Sequence, residues 1–206
     1  MKFDNIIPLG DNCAISIILK ELGLRKRAYP FDWISHVGPS PAYSILEQNI
    51  KLFLELLDFG DVENITNKLL GDCIDENNKI NGDFIFPHEC GSREEIRNKY
   101  TRRLQRLYDD VTDKNNNNLF IMVTRCCAVD HNVTNKLYDK IISINANNKI
   151  IFVSGTEQNV TQKNNLKYKY IFYDGSKIWE PDESIFRPQL KEFLQNEQAN
   201  EANGVC

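Results

Sequence analysis

Apolar and polar positions alternate along this chain in two different rhythms, and the change from one to the other marks its elements. The opening run Ile6-Ile7-Pro8-Leu9 breaks at Gly10 and the polar Asp11-Asn12, after which Ala14 to Leu24 carries apolar residues at helical spacing. This predicts strand, tight turn and helix. Gly38-Pro39-Ser40-Pro41 forbids regular structure, and Ser40 with Pro41 is a start signal for a helix whose stripe is Ile45, Leu46, Ile50, Phe53, Leu54 and Leu57. Gly60 ends it, and Asp61 to Leu70 predicts a further short helix. After an irregular polar stretch, Asp83 to Pro87 reads as a short strand that delivers His88 to its end. Ser92 with Glu95 is a capping box opening a long helix with Ile96, Tyr100, Leu104, Leu107 and Tyr108 on its apolar face. Leu119 to Val123 is a nearly continuous apolar run, the kind that a strand buried on both faces shows. A helix over Val133 to Ile144, strands over Lys149 to Val153 and Tyr168 to Tyr173, and a last helix over Asp182 to Leu194 complete the series.

Strands alternating with helices imply an α/β domain with a largely parallel central sheet of about four to five strands and helices on both faces, a Rossmann-like layering. The expected organisation is one domain over residues 1–196 and a frayed tail over 197–206, where apolar periodicity stops. In an open parallel sheet, function gathers at the carboxyl ends of the strands. Cys13 follows the first strand and His88 the strand of Phe86, so both would lie on that edge if the two strands are parallel.

The chain has 206 residues and a formal net charge of −4, which argues against a general nucleic-acid binder. No segment approaches the roughly 20 apolar residues that span a bilayer, and the N-terminus lacks a secretory apolar run, so an intracellular, cytoplasmic protein without membrane association is expected. The six cysteines are spread over a chain too large to need stapling, and reduced thiols are the expectation. Asparagine is abundant in runs such as Asn115 to Asn118, which read as loops; an AT-rich coding genome, as in a virus, would account for them. Cys126-Cys127 with His131 does not match zinc-ligand spacing, and Gly10 stands outside any glycine-rich phosphate signature, so no metal or cofactor is expected.

The chemistry converges on Cys13. Asp11 or Asn12 is a good N-cap, which places the thiol in the first helical turn, where unpaired amides and the helix dipole favour an anion. A thiol pKa of about 8.5 can fall to roughly 3.5–7.5 in such surroundings. A cysteine that merely packs between strand and helix is the alternative.

Leu9-Gly10-Asp11-Asn12-Cys13, Leu22-Gly23-Leu24-Arg25 and Tyr29-Pro30-Phe31-Asp32-Trp33 resemble the opening signature, SLGxxC followed by LR and PFDW, of a family described as "putative papain-like cysteine peptidases" in bacteria and large DNA viruses. Phe86-Pro87-His88-Glu89 with Tyr100 to Leu107 resembles its second block, and Leu119 to Arg125 is similar to its vlFvR strand. Pro8 stands where the family has Ser, and Glu89-Cys90 where it has Asp-Phe.

The resemblance implies a thiol hydrolase acting on a peptide or other amide, and a papain-like α+β fold as the alternative to the parallel sheet. Cys13 would be the nucleophile. His88 would share its proton, in preference to His36 and His131, because it lies in the second block and at a strand end. Asp32, which Phe31 and Trp33 should bury, would orient the imidazole, unless it pairs with Arg25 and makes PFDW a structural plug. Asp11 and Asn12 are candidate oxyanion or turn residues, with the amide of Cys13. Arg25, Arg103 and Arg106 are candidates for anchoring acidic loops or binding an anion. The competing class is a non-catalytic ligand- or carbohydrate-associated binding module in which the Gly10–Cys13 turn cradles a ligand.

Overall fold

The computed structural model describes residues 3–11, 13–36, 45–71, 80–81, 84–125, 128–161, 163–172 and 186–202. The Ser40-Pro41 start signal, Asn12, Cys126 and Cys127 lie outside them.

Four parallel strands form the central sheet in the order β1-β5-β6-β7: β1 is Asn5–Leu9, β5 Asn118–Thr124, β6 Lys149–Ser154 and β7 Leu166–Tyr170. Successive side chains enter opposite faces and both faces are covered, so β5 and β6 read as nearly continuous apolar runs, whereas the edge strand β7, Leu166–Tyr170, alternates with lysines. Ile7, Leu9, Phe120, Met122, Ile150 and Phe152 face one core, which includes helices α2 (Ile45–Phe59), α3 (Val62–Leu70), α4 (Arg93–Thr112) and α5 (His131–Ile144). Leu119, Ile121, Val123, Ile151 and Val153 face the other, closed by α1 (Ala14–Glu21) and α6 (Arg187–Ala202). The protein is an α/β domain with helices on both faces of a parallel sheet.

Two expectations change. The strand before His88 does not join the parallel sheet. β4 (Phe84–Ile85) lies between β2 (Ser35–His36) and β3 (Ile80–Asn81) in a small antiparallel sheet, so His88 does not reach the parallel sheet's carboxyl edge as the end of one of its strands. Strands of two residues are too short to carry a period, which is why the pattern mistook their pairing. The last helix also runs on to Ala202, beyond Leu194 where apolar residues stop. Beyond Leu194 a polar contact holds it, Lys167 of β7 pairing with Glu197, while before it Arg187 and Lys191 reach Glu21 of α1 at 2.7 and 2.8 Å.

The asparagines are not all loop residues. At the amino edge of the sheet, Asn5 donates to Asn118 (3.0 Å), Asn118 donates through its side chain to Asn148 (3.2 Å), and Asn148 donates to the Ile141 carbonyl (3.1 Å). Asn118 and Asn148 are fully buried and Asn5 nearly so. An amide both donates and accepts, so a row of them satisfies itself where solvent is excluded.

Candidate functional site

The turn after β1 carries Cys13 to the carboxyl edge of the sheet. Cys13 is itself the N-cap of α1, not a residue of its first turn, and its side chain makes no capping bond; its carbonyl accepts the first helical hydrogen bond, from Ile17 at 3.1 Å. The residue is half-buried and not in a disulfide. Its sulfur therefore stands at the positive end of an eight-residue helix.

That turn is fixed from two sides. Asp11 accepts from the Arg125 backbone N–H at 2.7 Å through Oδ2 and from Arg125 Nε at 3.0 Å through Oδ1. Both residues are at most 9% exposed, so a buried ion pair ties the end of β1 to the end of its neighbour β5. Asn49 of α2 donates to the Gly10 carbonyl at 2.9 Å. With both carboxylate oxygens accepting from Arg125, Asp11 anchors the turn. Arg125 and Asn49 were not singled out by the sequence reading. A signal existed: an arginine ends the most apolar strand and an aspartate follows the first strand, at neighbouring strand ends.

The segment Pro30–Trp33 forms a 3-10 helix with Pro30 in its first turn and Tyr29 as N-cap. Asp32 is fully buried, and one of its oxygens, Oδ2, accepts from Arg25 Nη2 (2.6 Å), Arg25 Nε (3.2 Å) and the Tyr29 backbone N–H (3.1 Å). Its other oxygen, Oδ1, has no hydrogen-bond partner among the described residues. Burial pushes this carboxyl up, against the opposing pull of Arg25. Asp32 thus has Arg25 for its charged partner, the pairing that makes PFDW a plug. Arg25 also covers the half-buried Trp33 ring, 5.1 Å from its centroid.

His88 is exposed and stands edge-on to the other component of this stack, its ring centroid 5.3 Å from that of Trp33. Both border an open hollow of about 280 Å3 whose other walls are Glu89, Lys99 and Arg103. Glu89 is 2% exposed and takes Lys99, Arg103 (3.0 Å) and the Tyr100 hydroxyl (3.2 Å). Arg103 thus pairs with Glu89, and Arg106 Nη1 donates to the Ala28 carbonyl at 2.8 Å.

Burial would raise the Glu89 carboxyl, but the Lys99 hydrogen bond and the Arg103 and Lys99 charges outweigh it and hold it below the usual range. A depressed folded pKa adds stability above the unfolded value of about 4.3 and withdraws it as pH falls through the folded one. Glu89→Gln is expected to lower the melting temperature at pH 7 and to flatten its fall below about pH 4.3. Parallel acid limbs in the two proteins would contradict this.

Side-chain contacts link the candidate residues into two sets, with the Pro30–Trp33 segment packed beside both β1 and α1. Arg25, Asp32, Trp33, His88, Glu89 and Arg103 form one cluster; Cys13, Asp11 and Arg125 form another, and Cys13 is not among the residues lining the His88 hollow. Cys13 and Arg25 flank opposite ends of α1, a helix about 12 Å long. Of the other histidines, His131 begins α5 and borders a narrow hollow with Tyr138, Phe152 and Leu166, on the β6–β7 side of the sheet, and His36 pairs through its backbone with Phe84. Among the described residues, no group of three metal-ligating side chains gathers, and no helix is long and apolar enough to cross a membrane.

Residues 4–165 match the family described as "Putative papain-like cysteine peptidase". No curated protein and no solved structure matches the chain.

Proposed function

The chain belongs to the family described as "Putative papain-like cysteine peptidase", and from that premise we propose that it is a thiol hydrolase of a peptide or another amide, with Cys13 as nucleophile. The observation that carries the reading is the position of Cys13: N-cap of α1, side chain unused for capping, half-buried, at the carboxyl end of a parallel strand. There the helix dipole favours the thiolate, and the amides of the first turn face charge that develops beside the sulfur.

In the proposed reaction the thiolate attacks the carbonyl carbon, forming the C–S bond while the carbonyl oxygen becomes an oxyanion at the helix N-terminus. The C–N bond then breaks as the imidazolium of His88, which holds the proton taken from the Cys13 thiol, gives that proton to the departing nitrogen. Water then attacks the thioester carbonyl, giving a proton to the now neutral imidazole, and the C–S bond breaks to release the acid and restore the thiolate and imidazolium. The Asp11–Arg125 pair and Asn49 hold the turn that aims Cys13. Asp32 acts at one remove, through Arg25 and Trp33, on the ring against which His88 rests.

The family description supports the thiol chemistry; the pairing of Cys13 with His88 rests on the family's second block. The binding module remains the second reading, because the Asp32 carboxylate is engaged by Arg25 and the Tyr29 amide. One measurement separates the two. Competitive iodoacetamide labelling across pH 5 to 9 should show Cys13 alkylating with an apparent pKa well below the reference of about 8.5, and His88→Ala should move that midpoint upward while leaving the melting temperature little changed. A midpoint that His88→Ala leaves in place would remove His88 from the reaction, and one at the reference value would remove Cys13.

A further inference from the structure

Helix α4 has a second working face that the thiol chemistry does not use. Its residues Thr101, Arg102, Gln105, Arg106 and Asp109, with Arg27 from the segment after α1, wall an open trough of about 560 Å3. Three guanidinium groups border it, in a chain whose net charge is −4.

The two carboxylates beside them are occupied. Asp110 accepts from Arg27 Nη1 at 2.6 Å on one oxygen and from the Tyr29 hydroxyl at 2.8 Å on the other. Asp109 accepts from Gln105 at 2.8 Å. Arg106 spends one nitrogen, Nη1, on the Ala28 carbonyl, and Arg102 is exposed, with no ion pair or hydrogen bond among the described residues. Guanidinium N–H groups are therefore left over on both walls, with one more cation than anion between them.

We propose that this trough binds a phosphate-bearing small molecule, with the phosphoryl group held between Arg102, Arg106 and Arg27. Arg102 and Arg106 are one helical turn apart and project side by side, while Arg27 comes from the segment that packs across α4. A tetrahedral anion accepts hydrogen bonds from three directions at once. A carboxylate is planar, with two oxygens, and is matched by a single guanidinium fork. Gln105 and Thr101 supply neutral polar groups for the remainder of the ligand, and the open trough admits it without rearrangement. The site is independent of Cys13 and His88.

The test uses the full chain, titrated with inorganic phosphate, glycerol 3-phosphate and succinate, and followed by amide chemical shifts. Saturable shifts along α4 are expected with both phosphates and weaker ones with succinate. Arg102→Ala should weaken phosphate binding about tenfold, the loss of one charge-assisted contact, whereas Lys136→Ala, which removes the same charge from the exposed face of α5, should change it less than about twofold. Arg102 is exposed, so its substitution is expected to leave the fold intact, and the melting temperature checks that. Tighter binding of the ester identifies an organic phosphate as the ligand, and tighter or equal binding of inorganic phosphate identifies the free anion. Absence of saturable shifts, succinate binding as tightly as phosphate, or equal losses in Arg102→Ala and Lys136→Ala would overturn the proposal.

Discussion

An Asp32→Ala variant is expected to lose about 3–5 kcal/mol of folding stability, seen as a fall in melting temperature of roughly 10 °C. The size follows from what the substitution leaves behind. Arg25 has a side chain only 19% exposed, and without Asp32 its guanidinium keeps the cost of burial and loses the two hydrogen bonds that offset it. The backbone N–H of the N-cap Tyr29, which the Asp32 side chain satisfies by reaching back from the third helical position, is orphaned at the same time. The further variant Arg25→Met, made on the Asp32→Ala background, should recover part of the loss by removing the stranded charge. A single variant that melts within about 1 kcal/mol of the parent would show that the pair is solvated in solution and that PFDW is a surface loop.

Arg125→Ala is expected to be comparably costly, about 3–5 kcal/mol, because it strands the buried carboxylate of Asp11 at the end of β1. Here the cost has a second expression. The backbone N–H of residue 125 still reaches Asp11, but the side-chain bond between the ends of β1 and β5 is gone, and the turn that presents Cys13 loses one of its two fixings. Urea melts of Arg125→Ala, Asp11→Asn and the double variant should give a coupling energy of at least about 1 kcal/mol, with the double variant more stable than the sum of the single losses predicts. Cys13 alkylation should slow in Arg125→Ala at a temperature where the variant is fully folded. Additive losses would mean that the two residues do not share an interaction.

The main features of the fold were legible because they rest on long periods. The seven residues of β5 and the twenty of α4 repeat their patterns often enough to be unambiguous, and the Ser92–Glu95 capping box forms as read. What escaped depends on contacts distant in sequence. Asn118 belongs to a run that looks like a loop, and only its pairing with Asn5 and Asn148 makes it a buried strand residue. Cys13 takes the capping position while Asp11 pairs with Arg125, a partner that local propensity cannot show. Asp32 was read correctly as buried and paired, with two candidate partners; the choice of Arg25 is a matter of tertiary geometry.

The Asn5–Asn118 bond joins residues 113 apart in sequence, and the Asp11–Arg125 bond residues 114 apart. Ordering the ends of so long a loop costs entropy that only non-local contacts repay, so docking of β1 beside β5 belongs to the late stages of folding. During synthesis the consequence is one of timing. Cys13 emerges from the ribosome well before Arg125, so the support that orients it is completed only after the chain as far as the end of β5 has followed. An early, partly folded chain has the thiol without its ion-paired turn, so the orientation of Cys13 that the proposed reaction requires belongs to the folded molecule alone.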